Sequence, residues 1–199
     1  MHGVRRTSQR DRARGRPGPG VAGRPSRQGS AIEKRQRLCY VWCVTALDRL
    51  PDLLRALNAE NVEYVLFGGQ AINLHGILRF TDDIDLFICP TRENVERLRR
   101  ALGRVWADPS IDEIRAEDLT GEYAVVRYGT PDDFYLDLVS RLGEAYAFAD
   151  VESEWIERGG VRARVATAQM LYRMKRSTVR PLDRADAADL KAKFHLEDD

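Results

Sequence analysis

The chain has 199 residues, 43% of them hydrophobic, and a formal net charge of +1. That is enough for one moderate domain with a real core, and no apolar run is long enough to suggest a membrane span. The near-neutral charge hides an asymmetry. Residues 1–40 carry eleven Lys and Arg against two acidic residues, whereas the remaining 159 carry 21 basic and 29 acidic ones.

Residues 1–37 read as a basic tail. Its first thirty residues are rich in Arg, Gly, Pro and Ser, and they lack the large apolar side chains needed to offset chain entropy, so the sequence predicts disorder there. Such a tail is either a solvated extension, sequence translated upstream of the true start, or a polycation able to hold RNA by charge. The basic start is not followed by an apolar segment, which argues against a secretory signal and for a cytoplasmic protein. Cys39, Cys43 and Cys89 fit reduced thiols. The four-residue spacing of the first two, with no histidine nearby, is a poor zinc signal.

A core spanning residues 38–165 and C-terminal helices over 166–199 are expected. Leu47, Leu50, Leu54 and Leu57 recur at helical spacing, with regular helix expected from Pro51. Val62–Phe67 reads as a strand ended by Gly68-Gly69, followed by a short helix from Gln70 to His75 and a second strand over Ile84–Ile88. Thr91 is the expected N-cap of the next helix, with Asn94 in its first turn. Further strands are expected at Tyr123–Tyr128, Phe134–Val139 and Val161–Val165. Two helices follow, one capped by Thr167 and one opened by Pro181. The pattern is α/β (α+β): a mixed sheet flanked by helices, with a small helical part at the C-terminus.

The chemistry concentrates in FGGQAINLHGILRFTDDIDLFI, residues 67–88. Side chains two apart on a strand share a face, so Asp83 and Asp85 present two carboxylates together. Packing alone would not select such repulsion, whereas Mg²⁺ (or Mn²⁺) takes a few carboxylates and completes its shell with water and substrate phosphate. A Gly-Gly pair between strand and helix lets backbone approach a phosphate closely. Gly-Gly alone is more often a plain turn, and Asp-x-Asp alone is often a solvated face. It is their conjunction that points to an NTP site.

Gly68-Gly69, thirteen residues, then Asp83-Ile84-Asp85 resembles the signature of the nucleotidyltransferase superfamily related to DNA polymerase β. Arg79-Phe-Thr81-Asp-Asp83-Ile-Asp85 is similar to the form found in small bacterial members. Among these are the AbiEii-like toxins of type IV toxin–antitoxin systems and some antibiotic-modifying enzymes. The resemblance implies a nucleotidyltransferase fold and makes Asp137, in FYLDLVSR, the third carboxylate, with Asp132 and Asp133 as nearby competitors. Asp82 falls on the opposite face from the pair. Leu171-Tyr-Arg-Met-Lys175 and Arg180-Pro-Leu-Asp183-Arg-Ala-Asp186 resemble the toxin branch, with Leu182 where that pattern usually has Lys.

By this resemblance, Asp83, Asp85 and Asp137 hold metal, and Asp137 also positions or deprotonates an acceptor hydroxyl. Gly68, Gly69, Arg79, Thr81, Lys175, Arg180 and Asp183 form the nucleotide site. On residue type alone, Arg79 and Thr81 serve equally well to close a loop, and Asp183 and Asp186 to charge a helix start. The implied reaction moves an NMP from an NTP, such as ATP, to an acceptor such as tRNA or another RNA, with a cognate antitoxin as possible partner and no membrane. Two alternatives stand beside it: an antibiotic-modifying adenylyltransferase, and a non-catalytic nucleotide-binding module, which the three intact carboxylates argue against.

Overall fold

The computed structural model describes residues 48–121 and 124–198. The tail of residues 1–37, the thiols Cys39 and Cys43 and Leu47 lie outside the described residues.

Helix α1 covers 48–59, so the chain is already helical upstream of Pro51, earlier than expected. A turn with Asn61 at φ +54° leads into strand β1 (Tyr64–Phe67). Helix α2 (Gly68–Leu74) begins at the glycines themselves and not at Gln70, because Phe67 keeps extended backbone and serves as its N-cap. Gly76, at φ +81°, ends that turn in the left-handed conformation that glycine tolerates best. Strand β2 is Asp83–Ile88, and α3 is Arg92–Val105. The Thr91 side chain accepts a hydrogen bond from the Asn94 amide, the cap the sequence predicts.

Two short 3₁₀ turns, Pro109–Glu113 and Glu117–Leu119, precede β3 (Val125–Gly129). Then come β4 (Tyr135–Val139) and a small hairpin of β5 (Arg141–Leu142) and β6 (Tyr146–Ala147). β7 (Ser153–Arg158) and β8 (Val161–Ala166) pair across Gly159-Gly160, both with positive φ, as a two-residue hairpin requires. The sequence reading marked that turn but missed β7. SEWIER lies at a sheet edge, and its exposed Glu and Arg side chains mask the strand pattern. Helices α4 (Ala168–Arg176) and α5 (Pro181–Phe194) close the chain where expected.

The six-stranded sheet has the order β3-β4-β2-β1-β8-β7. β2 runs parallel to β4 and β1 parallel to β8, and the other neighbours are antiparallel, so the sheet is mixed. Ile84, Leu86 and Ile88 are fully buried and share one β2 face, in a core cluster that also contains Leu53, Leu57, Leu98 and Leu102. This burial fixes the register. Asp83 and Asp85 alternate with those residues and are therefore turned to the other face.

Candidate active site

The pairing register lines up one row of side chains across four strands. Phe67 of β1 lies opposite Asp85 of β2, Asp85 opposite Asp137 of β4, and Asp137 opposite Arg127 of β3. Residues in register on neighbouring strands share a face, so Asp85 and Asp137 are side by side, with Asp83 two positions along the same face of β2. Asp132 and Asp133 take no part in this row. The Asp132 carboxylate accepts from Arg49 Nε and Trp106 Nε1, each at 2.7 Å, and Asp133 occupies a left-handed turn position.

The glycines are explained by what crowds them. Gly68 sits at φ +64°, and a Cβ built there would come within 1.9 Å of Asp85 Oδ2. A Cβ on Gly69 would come within 2.6 Å of an Arg79 terminal nitrogen and 2.7 Å of Thr81 Cβ. The missing side chains thus allow the start of α2 to lie directly against the carboxylate of β2 and the loop carrying Arg79 and Thr81. Thr81 Oγ1 in turn donates to the Asp83 carbonyl at 3.3 Å.

The C-terminal helices lock onto this loop through a buried ion network. Arg79 pairs with Asp186 at 3.1 Å. Asp186 also receives the Lys175 ammonium at 2.9 Å, and Lys175 reaches Asp183 at 2.6 Å. Asp183 is further held by the Thr178 hydroxyl at 3.2 Å, while Arg180 stands 3.9 Å away with its side chain 77% exposed. Lys175, expected as a point charge on a triphosphate, is thus already committed to two carboxylates. Arg180 is the cation of this group that faces outward.

The carboxylates of the row carry negative charge in excess of their partners. Burial raises the Asp85 carboxyl to about 6, helped by the charges of Asp137 and Asp83. Asp83 is raised too, by burial and by Asp137, with Arg127 opposing. Burial also pushes Asp183 upward, but the Lys175 ammonium outweighs it and holds that carboxyl below its ordinary range. Among the described residues, no hydrogen-bond donor reaches the Asp85 side chain, and no group of three or more His, Cys, Asp or Glu is already gathered to hold a metal ion. The donor set nonetheless fits Mg²⁺ chemistry. That ion uses one or two carboxylates together with water and phosphate, and needs no closed protein cage.

One cleft of about 480 Å³ collects all of this. Gly68, Gly69, Arg79, Thr81, Asp83, Asp85, Asp137, Lys175, Arg180 and Asp183 each contribute to its wall. The model of the nucleotidyl transferase AbiEii toxin family, type IV toxin–antitoxin system, matches residues 52–168, more than half of the chain. The chain belongs to this family.

As an AbiEii-family member it is a nucleotidyltransferase, and the matched segment contains the whole row of Asp83, Asp85, Asp137 and Arg127. Among solved structures, the chain is similar to ANT(2″)-Ia in complex with adenylyl-2″-tobramycin, at 18% identity over 75% of this chain and 88% of that one, with a TM-score of 0.47. It is also similar to a Thermotoga maritima protein, TM1012, described as a nucleotidyltransferase, at 15% identity over 85% of this chain and 96% of that one, TM-score 0.44. A solution structure of the antibiotic-resistance factor ANT(2″)-Ia aligns at 19% identity over 77% of this chain and 92% of that one, TM-score 0.43. No curated protein matches the chain.

Sequence reasoning missed Arg127 in this AbiEii-family site. Its guanidinium clasps Asp137 by two 2.7 Å bonds and lies 4.0 Å from Asp83. The signal was Arg alternating with apolar residues in VVRYG, but only the β3–β4 register reveals its partner. Leu182, which replaces the Lys of the toxin-branch pattern, is half exposed on the cleft wall, as is Phe80. Within the described residues no helix is long and apolar enough to cross a membrane.

Proposed function

We propose that this nucleotidyltransferase is divalent-metal-dependent and moves an NMP from an NTP to an RNA acceptor, such as tRNA, in a toxin-like role held in check by a cognate antitoxin. The observation that carries the reading is the row of Asp83, Asp85 and Asp137 on adjacent strands, pressed against the Gly68-Gly69 start of α2.

Asp83 and Asp85 would hold the metal, and Asp137 would join them or turn to the acceptor. Bound there, Mg²⁺ or Mn²⁺ supplies charge neutralisation for the phosphates and orientation of the attack. The protein's own part is positioning and electrostatics. Asp137, held beside Asp85 by the β2–β4 register, would accept the proton of an acceptor hydroxyl once its carboxylate is released from Arg127. The close approach at Gly68 and Gly69 leaves backbone at the phosphate side of the cleft. Arg180, largely exposed, meets the triphosphate as a mobile cation. Arg79 and Lys175 add field while tying the loop to α4 and α5 through Asp186 and Asp183.

Purified protein with Mg²⁺, each α-³²P-labelled NTP and total RNA tests the reading, with Asp83→Ala as control. Label in RNA, absent with Asp83→Ala, is the expected result. Label on an aminoglycoside in place of RNA would replace it with an antibiotic-modifying adenylyltransferase. No label in any fraction, with nucleotide still bound, would leave a binding module.

A further inference from the structure

Arg127 is the one cation planted inside the carboxylate row. Its Nε donates to Asp137 Oδ1 and a terminal nitrogen donates to Oδ2, both at 2.7 Å, so its fork occupies both oxygens of the carboxylate expected to face metal and acceptor. The same terminal nitrogen lies 4.0 Å from Asp83 Oδ2. The arrangement follows from the backbone, because Arg127 and Asp137 are directly opposed on antiparallel β3 and β4. Stability is a weak reason for it: the Arg127 side chain is 57% exposed, and pairs so open to water contribute little.

Asp83 and Asp85 would hold a doubly charged ion, and with a guanidinium nitrogen only 4.0 Å from Asp83 Oδ2 the two cations would repel. The guanidinium has somewhere to go. More than half of its side chain is exposed, so solvent is open to it, and the Tyr135 ring, 47% exposed, already lies with its centroid 5.2 Å from the paired Arg127 Cζ, a contact on the solvent side that does not depend on Asp137.

We propose that Arg127 is the resident counter-charge of the metal-free site, and that loading of the divalent ion expels it from Asp137 toward the cleft rim. It is then a positioning residue. It holds Asp137 in place before the ion arrives and releases it for the acceptor afterwards, and by competing with the ion it sets how tightly the metal binds without nucleotide. The inference rests on the metal reading of Asp83 and Asp85 given above.

Two measurements test it. In protein labelled with ¹⁵N-arginine, the Arg127 Nε–H resonance, assigned by its loss in Arg127→Met, is expected to leave its charge-paired position as Mg²⁺ is added without nucleotide. Mn²⁺ binding, followed by electron paramagnetic resonance of the free ion, is expected to be at least about tenfold tighter in Arg127→Met than in wild type, the equivalent of one charge-assisted pair no longer displaced. An Nε–H signal unmoved at saturating Mg²⁺, or equal or weaker Mn²⁺ affinity in Arg127→Met, would overturn the proposal while leaving the metal site intact. Asp85→Asn separates the two levels. If it binds Mn²⁺ as well as wild type does, the metal reading fails and this inference falls with it.

Discussion

Replacing Asp85 by asparagine should make the metal-free protein more stable while abolishing transfer. Asp85 is partly buried, accepts no hydrogen bond from a described residue, and has its carboxyl raised from 3.8 to about 6. A carboxyl raised in the folded state contributes stability that is fully present below the unfolded value and lost as pH rises through the folded one. At pH 7.5 the ionised group therefore costs the fold, at about 1.36 kcal/mol per unit, something near 3 kcal/mol; water entering the cleft reduces this to an expected 1–3 kcal/mol. Asparagine keeps the shape and removes the charge. For a domain of this size the gain corresponds to a Tm rise of roughly 3–10 °C. The assay is thermal or urea unfolding of both proteins in EDTA at pH 7.5 and again at pH 4. The difference should be large at the first and close to zero at the second, where wild-type Asp85 is protonated. Mg²⁺ should then raise the Tm of wild type and leave Asp85→Asn unmoved. Equal stability at pH 7.5, or an equal gain at both pH values, would refute the claim that uncompensated charge at Asp85 is the cause.

The other expectations concern the remaining walls of the cleft. Lys175→Met leaves Asp186 to Arg79 alone and Asp183 to the Thr178 hydroxyl and a distant Arg180, and should cost about 2–4 kcal/mol by urea unfolding. Arg180→Ala should shift stability by no more than about 0.5 kcal/mol yet weaken NTP binding measured by calorimetry. Gly68→Ala should damage activity far more than Gly69→Ala, because its added methyl meets the Asp85 carboxylate itself at a strained φ, whereas the Gly69 methyl also meets a flexible arginine end. Wild-type Mn²⁺ affinity should fall up to about tenfold per pH unit below pH 6 as Asp85 takes up its proton, and an affinity flat from pH 7 to pH 5 would refute it.

Much of this site is local and therefore visible in the sequence. Alternation in DIDLFI places Asp83 and Asp85 together, the Thr91 and Thr167 caps fix two helix starts, and Pro181 marks a third. What could not be read depends on pairings between distant segments. Arg127 meets Asp137 only because β3 and β4 pair in one particular register. The Arg79–Asp186 bridge spans 107 positions and exists because α5 packs beside the loop before β2. Asp132, a nearby competitor of Asp137 in the sequence, is set apart from the row once Arg49 and Trp106 are seen to hold it. The sequence points to Gly68-Gly69 as a close-approach position, but that the approach is to Asp85, Arg79 and Thr81 depends on the packing of distant segments.

The cleft divides its charge in a way that bears on how substrate enters. Among the described residues on the sheet side, Asp83, Asp85 and Asp137, with Asp82 beside them on the cleft wall, face one cation, Arg127, for a formal balance of −3. On the helix side, Arg79, Lys175 and Arg180 face Asp183 and Asp186, for a balance of +1. Among the described residues, a bare triphosphate would meet net repulsion from the sheet side and one surplus cation opposite. A triphosphate that arrives with a divalent ion matches both halves, the ion against the carboxylates and the phosphate tail against Arg180. Under the proposed assignment, the missing lysine at Leu182 sharpens this dependence, because the described residues of the helix side offer no second outward-facing cation to hold nucleotide without metal. The burden of triphosphate charge then falls on the metal–carboxylate pair, and Arg127 decides when that pair can form.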